Sequence, residues 1–304
     1  MHKNTHRRPV LLFGATGQLG RALAKTLPTI GPVVALARAD CDVTDSAKVQ
    51  ELVRTLKPHV IVNAAAYTAV DAAETNVALA TRVNAHLPRL LAQEAERLHA
   101  WLVHYSTDYV FDGRKAGCYE ETDQPNPLNV YGQTKLQGEQ AVIQFVPRHL
   151  VLRTSWLFSC RPGNFLTTIL TRARQRDTLQ VVNDQRGAPT GVDVVAQCTA
   201  RMLAHIQQDT GRPGLYHLAS AGVTTWHAYA QYILEQAAAH GTRLSCGPQQ
   251  VQPVSSRSRG DAAPRPANSC LNTTRVRNDY GIALPCWHQQ VANTVARVVS
   301  AHAP

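Results

Sequence analysis

Val10-Leu11-Leu12-Phe13-Gly14-Ala15-Thr16-Gly17-Gln18-Leu19-Gly20 is an apolar run that stops at a glycine and reopens as a helix. Val10–Phe13 reads as a buried strand. Leu19, Leu23 and Leu27 then recur every four residues, which gives the next segment one apolar helical face until Pro28 and Gly31 break it. Glycines at a strand-to-helix junction serve a tight turn, close backbone approach to a pyrophosphate, and packing of helix on strand. The helix N-terminus then presents free N–H groups to phosphates. The spacing of Gly14, Gly17 and Gly20 is G-x-x-G-x-x-G, one residue off the more familiar G-x-G-x-x-G. The junction predicts a dinucleotide site.

On either side of this junction, short β-branched runs alternate with helical patterns, the mark of βαβ units. Further strands are expected at Val33–Ala37, Val60–Asn63, Trp101–Ser106 and Leu150–Arg153, with another of the same sheet at Leu215–Ala219. Leu87, Leu90, Leu91 and Ala95 mark one helix, Gly138, Val142 and Phe145 another, and Trp226–Ala239 a third. Residues 246–270, rich in Pro, Ser, Gln and Arg, suggest long loops. The fold class is α/β: a Rossmann-type doubly wound parallel sheet with a smaller, mixed α+β substrate lobe. The expected domains are 1–158, to which part of 190–220 returns, and 159–304.

The 304 residues, 44% hydrophobic and 17% charged, describe a folded chain with a sizeable core. No apolar run approaches the ~18 residues of a membrane span, and the basic N-terminus lacks the apolar segment of a signal peptide, so a cytoplasmic protein without a membrane partner is expected. Met1 to Arg8 reads as a disordered tail. Seven cysteines lie singly at 41, 118, 160, 198, 246, 270 and 286, which reads as free thiols in a reducing compartment. The histidines are scattered, and no metal centre is expected from local motifs. The net charge of +10 is spread along the chain, which disfavours nucleic acid and fits a phosphorylated cofactor and substrate.

At the end of the second strand, Arg38 can accommodate a 2′-phosphate, so NADPH is expected, and Asp42-Val43 can border the adenine. Ala64-Ala65-Ala66 after the third strand lets a flat cofactor lie against the backbone. Tyr131 and Lys135, four residues apart, share a helical face. Ser106-Thr107-Asp108 closes the fourth strand beside the same edge. Together these groups suit carbonyl reduction. A hydride arriving at a ketone carbon leaves charge on oxygen, Tyr131 supplies the proton, Lys135 draws the phenol pKa down, and Thr107 donates a hydrogen bond.

With these residues in view, the chain resembles the extended short-chain dehydrogenase/reductases and, more narrowly, the dTDP-4-dehydrorhamnose reductase family. The narrower resemblance is carried by Leu11–Gly20, Asn63–Glu74, Ser106–Gly113, Asn129–Lys135, Leu152–Trp156, Asn183–Thr190 and Arg265–Ser269. It implies NADPH-dependent reduction of the 4-keto group of dTDP-4-dehydro-L-rhamnose (dTDP-6-deoxy-L-lyxo-4-hexulose), with NADH use left open. Tyr131 is the implied proton donor, Lys135 its partner and ribose ligand, and Thr107 the carbonyl donor. The implied dinucleotide lining is Gly14, Thr16, Gly17, Gln18, Leu19, Arg38, Asp42, Val43 and Ala64–Ala66. Thr107, Asp108 and Trp156 meet the sugar nucleotide, and Arg265 is a candidate for a substrate phosphate.

Tyr109 stands where 4,6-dehydratases carry a glutamate, which disfavours dehydration. Some members form dimers bridged by Mg2+ through glutamates, so Mg2+ and a homodimer are implied. Glu235 is the only glutamate after residue 150, which speaks against such a bridge here. Two alternatives are a related keto-sugar-nucleotide reductase and an NADP-binding regulatory subunit resembling that of methionine adenosyltransferase. The short tail Thr294 to Pro304 lacks a docking motif for the second.

Overall fold

In Val10–Phe13 (β1), Val10 and Leu12 point to one face and Leu11 and Phe13 to the other, and all four are fully buried. A strand buried on both faces belongs to a parallel sheet covered by helices on each side. The computed structural model, which describes residues 8–301, contains that sheet. The first half continues with Gln18–Thr26 (α1), Val33–Leu36 (β2), Ser46–Leu56 (α2), Val60–Asn63 (β3), Val70–Ala73 (α3), Val77–Thr81 (α4), Leu87–Arg97 (α5), Trp101–Thr107 (β4), Val130–Phe145 (α6) and His149–Thr154 (β5). Leu157–Phe158 (β6), Phe165–Ala173 (α7), Leu179–Val182 (β7), Arg186–Gly187 (β8), Thr190–Gly191 (β9), Val192–Gln207 (α8) and Gly214–His217 (β10) follow. The chain closes with Thr224–Thr225 (β11), Trp226–Ala239 (α9), Val251–Val254 (β12), Ser256–Arg259 (α10), Thr274–Tyr280 (α11) and Trp287–Ser300 (α12).

The sheet order is β10-β5-β4-β3-β1-β2, with every pairing parallel. Because β1 lies between β2 and β3, the winding direction reverses there, and the carboxyl ends of β1 and β3 open a crevice where α/β sheets bind ligands. Helices α1 and α8 cover the face of Val10 and Leu12, and α2, α5 and α6 cover that of Leu11 and Phe13. Each large apolar side chain withdrawn from water contributes about 1.5–3 kcal/mol, so the rim of the crevice stands on a rigid base. A second core gathers Phe158, Leu166, Ile233 and Val291 from β6, α7, α9 and α12 beside the parallel ribbon β7–β12.

Three expectations are corrected. Residues 246–270 are not all loop, because β12 and α10 lie within them. Pro253 disguised the strand, yet β12 pairs on one side only, so the N–H that proline lacks costs the ribbon nothing on its open side. The seven thiols are not all free: Cys118 and Cys270, 152 residues apart, form a disulfide, while Cys41, Cys160, Cys198, Cys246 and Cys286 remain free. Local spacing could not show this pair. The fold brings the two segments together, with Tyr119 N–H donating to Cys270 O and Asn272 N–H to Tyr119 O, both at 2.7 Å. Of the tail expected over Met1 to Arg8, residues 1–7 lie outside the described residues. Arg8 itself is anchored, its Nε donating to Lys57 O at 2.7 Å and its Nη2 to Pro58 O at 2.8 Å. Among the described residues no helix is long and apolar enough to cross a membrane.

Candidate active site

The turn after β1 is built by steric necessity. Gly14 has φ +77°, and a Cβ there would sit 2.6 Å from the Ala65 backbone nitrogen. A Cβ at Gly20 would lie 2.0 Å from Gly14 O. No side chain caps the start of α1, so its first N–H groups face the crevice. A cavity of about 320 Å³ runs along this edge, lined by Gly14, Thr16, Gly17, Arg38, Asp42, Val43 and Ala64–Ala66. Asp42 accepts the backbone N–H and the hydroxyl of Thr44, both at 2.9 Å, which hold its carboxyl below the usual range.

A second cavity of about 350 Å³ shares Gly17, Ala64 and Ala66 with the first and continues to Tyr131, Lys135, Thr107, Asp108 and Trp156. Gln18 and Leu19 line it as well. Gln18 also clasps the segment between β6 and α7: its Oε1 accepts from Ser159 Oγ at 2.8 Å and Asn164 Nδ2 at 3.1 Å, and its Nε2 donates to Gly163 O at 3.2 Å. The Ser106 hydroxyl is buried at the same wall without a partner. The glycine cradle, the free helix start and the cavity's extent along the sheet edge fit a dinucleotide.

Tyr131 sits in the first turn of α6, whose start is held from two sides. Asn129 accepts the Gly132 N–H at 2.8 Å, and Glu74 Oε1 accepts the Val130 N–H at 2.8 Å. Enclosure pushes the Tyr131 phenol up to about 12. A hydrogen bond with Thr107 pulls it back and the Asp108 charge raises it further. The expected lowering by Lys135 does not occur in this geometry. The Lys135 ammonium is turned onto Tyr105 O at 2.5 Å, and its own pKa falls to about 8 through burial, only partly offset by Glu139. Glu139 in turn forms a buried two-armed pair with Arg153, at 2.9 and 2.7 Å.

Thr107 Oγ1 donates to Asp108 Oδ1 at 2.9 Å and accepts the Tyr109 N–H at 3.2 Å. Burial lifts Asp108 to about 6, against hydrogen bonds from the Ser269 and Thr107 hydroxyls. Tyr109 lies edge-on to Tyr131 with ring centroids 5.8 Å apart. Trp156, just past β5, has φ +46°, a left-handed conformation costing a bulky residue about 1–3 kcal/mol.

Every expected site residue but one lines these two cavities. Arg265 does not: its guanidinium bridges Asp71 at 2.7 Å and Asp261 at 2.9 Å, beside Tyr109. Any phosphate there competes with two carboxylates. Among the residues that sequence reading missed, Asn84 lies on a π-helical turn (Arg82–His86) and bonds Tyr67 N at 2.8 Å and Thr134 Oγ1 at 3.2 Å, bracing α6. Nothing in the sequence marks it. Glu139, four residues after Lys135 on the same helix face, did carry a spacing signal.

Comparison with known proteins adds three findings. The family described as RmlD substrate binding domain matches residues 7–300. A dTDP-4-dehydrorhamnose reductase of Salmonella typhimurium is 44% identical over 282 residues, covering 91% of this chain and 94% of that protein. Among solved structures, a dTDP-4-dehydrorhamnose reductase from Clostridium acetobutylicum superposes with a TM-score of 0.88 at 31% identity, covering 95% of this chain and 99% of that one. One from Bacillus anthracis, in complex with NADP, gives 0.87 at 31%, covering 96% and 99%.

Proposed function

We propose, for a chain that belongs to the dTDP-4-dehydrorhamnose reductase family, the NADPH-dependent reduction of the 4-keto group of dTDP-4-dehydro-L-rhamnose to dTDP-L-rhamnose. The observation that carries this is the meeting, in one cavity, of Tyr131, Thr107 and Lys135 with the rim of the glycine turn, Gly17, Ala64 and Ala66. NADPH supplies the hydride. It would be held by the cradle of Gly14, Thr16, Gly17, Gln18 and Leu19, by Asp42, Val43 and Ala64–Ala66, and by Arg38 at the 2′-phosphate, which favours it over NADH.

The residues divide the remaining work. With its pKa near 12, Tyr131 is fully protonated at neutral pH, the state a proton donor needs before the carbonyl oxygen gains charge. As the oxygen takes that proton, the phenolate left behind is stabilised by the Lys135 ammonium once it turns from Tyr105 O. Thr107 bonds Asp108 in the resting site, so it must turn its hydrogen to the substrate oxygen to act as the oxyanion-type donor. Asp108 and Trp156 meet the sugar nucleotide, and Arg265 meets a substrate phosphate only by releasing Asp71 or Asp261. A cytoplasmic homodimer completes the proposal, with no Mg2+ bridge, because Glu235 is the only glutamate after residue 150.

The test follows NADPH oxidation at 340 nm with dTDP-4-dehydro-L-rhamnose generated in situ and identifies the product by mass and NMR. Stoichiometric dTDP-L-rhamnose is the expected result. NADPH binding without oxidation by this substrate or related keto-sugar nucleotides would overturn it.

A further inference from the structure

Trp156 and Trp226 come together at the edge of the second core. Trp156 follows β5 at the carboxyl edge of the sheet and Trp226 opens α9, and both pack against the second core. Their rings stack with centroids 3.6 Å apart and planes 11° from parallel. Trp226 is itself braced by Phe165 of α7, at 4.6 Å between ring centroids. Thr225 caps α9 by accepting the Ala228 N–H at 3.1 Å, and its hydroxyl donates to Asn183 Oδ1 at 2.8 Å, which sets where the helix begins. Gly187 completes the seat, since a Cβ there would fall 2.5 Å from Trp156 Cε2 and 2.8 Å from Nε1.

Trp156 is thereby kept in a backbone conformation that L-residues rarely adopt, with φ +46°. A residue in that state stays there only when its surroundings over-determine it. Trp156 lines the cavity that holds Tyr131 and Thr107, whereas Trp226 does not. The stacked ring is therefore placed to act on the site through its neighbour.

We propose that Trp226 is a positioning residue for the sugar nucleotide, holding the Trp156 ring at the cavity wall so that the bound keto sugar lies within reach of Tyr131. This rests on the reductase reading above and extends it to a residue outside the cavity.

The experiment uses the full chain with Trp226→Leu, with Trp226→Met standing in should the leucine variant fail to fold, and Trp226→Phe as the conservative replacement. Stacked indoles give an exciton couplet in far-UV circular dichroism, which must be present in the wild type and absent from all three variants. The leucine or methionine variant is expected to raise KM for the keto sugar nucleotide about tenfold while kcat moves by less than about threefold, the signature of lost ground-state binding. NADPH affinity should stay unchanged. The phenylalanine variant, which still offers a flat face, should recover most of the KM. Wild-type turnover is the control, and its failure would sink the reductase reading. With turnover intact, an unchanged KM in the leucine or methionine variant overturns this proposal alone, and so does a KM rise accompanied by an equal loss of NADPH affinity.

Discussion

The glycine turn at Gly14–Gly20 and the strand end at Ser106–Asp108 face each other across one cleft, and they are specified in opposite ways. The turn is a matter of backbone room: Gly14 and Gly20 are required by contacts that any Cβ would violate, and the uncapped N–H groups at the start of α1 need no special side chain. The strand end depends on buried polar side chains gathered from distant segments. Asp108 leans on Ser269, Tyr131 is held by Glu74 and Asn129, and Trp156 is seated by Gly187 and Trp226. One region is defined by where it is empty. The other holds groups in states that water would not favour.

That contrast can be broken at several points. Gly20→Ala places a Cβ 2.0 Å from Gly14 O, where no flexible side chain can yield. Overpacking there costs about 3 kcal/mol, and NADPH affinity measured by calorimetry should fall roughly 100-fold. A variant that binds as the wild type does would show the turn to be less tight than its contacts imply.

The disulfide belongs to the strand-end region, tying residue 118 to the segment that carries Ser269. Replacing Cys118 and Cys270 together by serine should lower stability by about 3 kcal/mol in chemical denaturation. In unfolded, unreduced wild type, thiol titration should count only the five free cysteines, Cys41, Cys160, Cys198, Cys246 and Cys286. A count of seven would place the pair among the free thiols.

Asp108 tests the cost of the strand end directly. Its pKa is raised from 3.8 to about 6 in the folded state, so between those values the folded protein binds more protons than the unfolded chain. The stability this group contributes is full below about pH 4 and is lost as pH rises through about 6. Asp108→Asn should therefore be more stable than the wild type above pH 6, by about 3 kcal/mol, with the gap closing towards pH 4. A gap that does not change with pH would remove burial of the charge as its cause. The smallest change is Arg38→Ala, which should weaken NADPH about tenfold, or about 1.4 kcal/mol, and leave NADH untouched. Equal losses for both cofactors would deny Arg38 the 2′-phosphate.

The same contrast governs what could be read without coordinates. The sheet was legible because strands such as Val10–Phe13 and Val60–Asn63 are apolar on both faces and bounded by turn residues, and α9 was legible from its apolar period. Tyr131 and Lys135 were legible because four residues make one turn of helix. Contacts at long range left no such trace. Asn84 on its π-turn, Glu74 beneath α6, Trp226 against Trp156 and Cys118 with Cys270 each join segments whose spacing carries no period. Lys135 was found, but the direction of its ammonium was not, because Tyr105 O is a backbone group that any residue at that position would supply.

In the proposed reaction Tyr131 donates the proton in a cleft whose cofactor cradle is built independently of it. The most direct measurement compares Tyr131→Phe with the wild type in NADPH oxidation and, on the same samples, in NADPH binding. Loss of kcat by about 10²–10⁴-fold is predicted, with NADPH affinity unchanged. A phenylalanine variant that turns over at the wild-type rate would contradict the account, and so would one that loses rate only because it no longer binds NADPH.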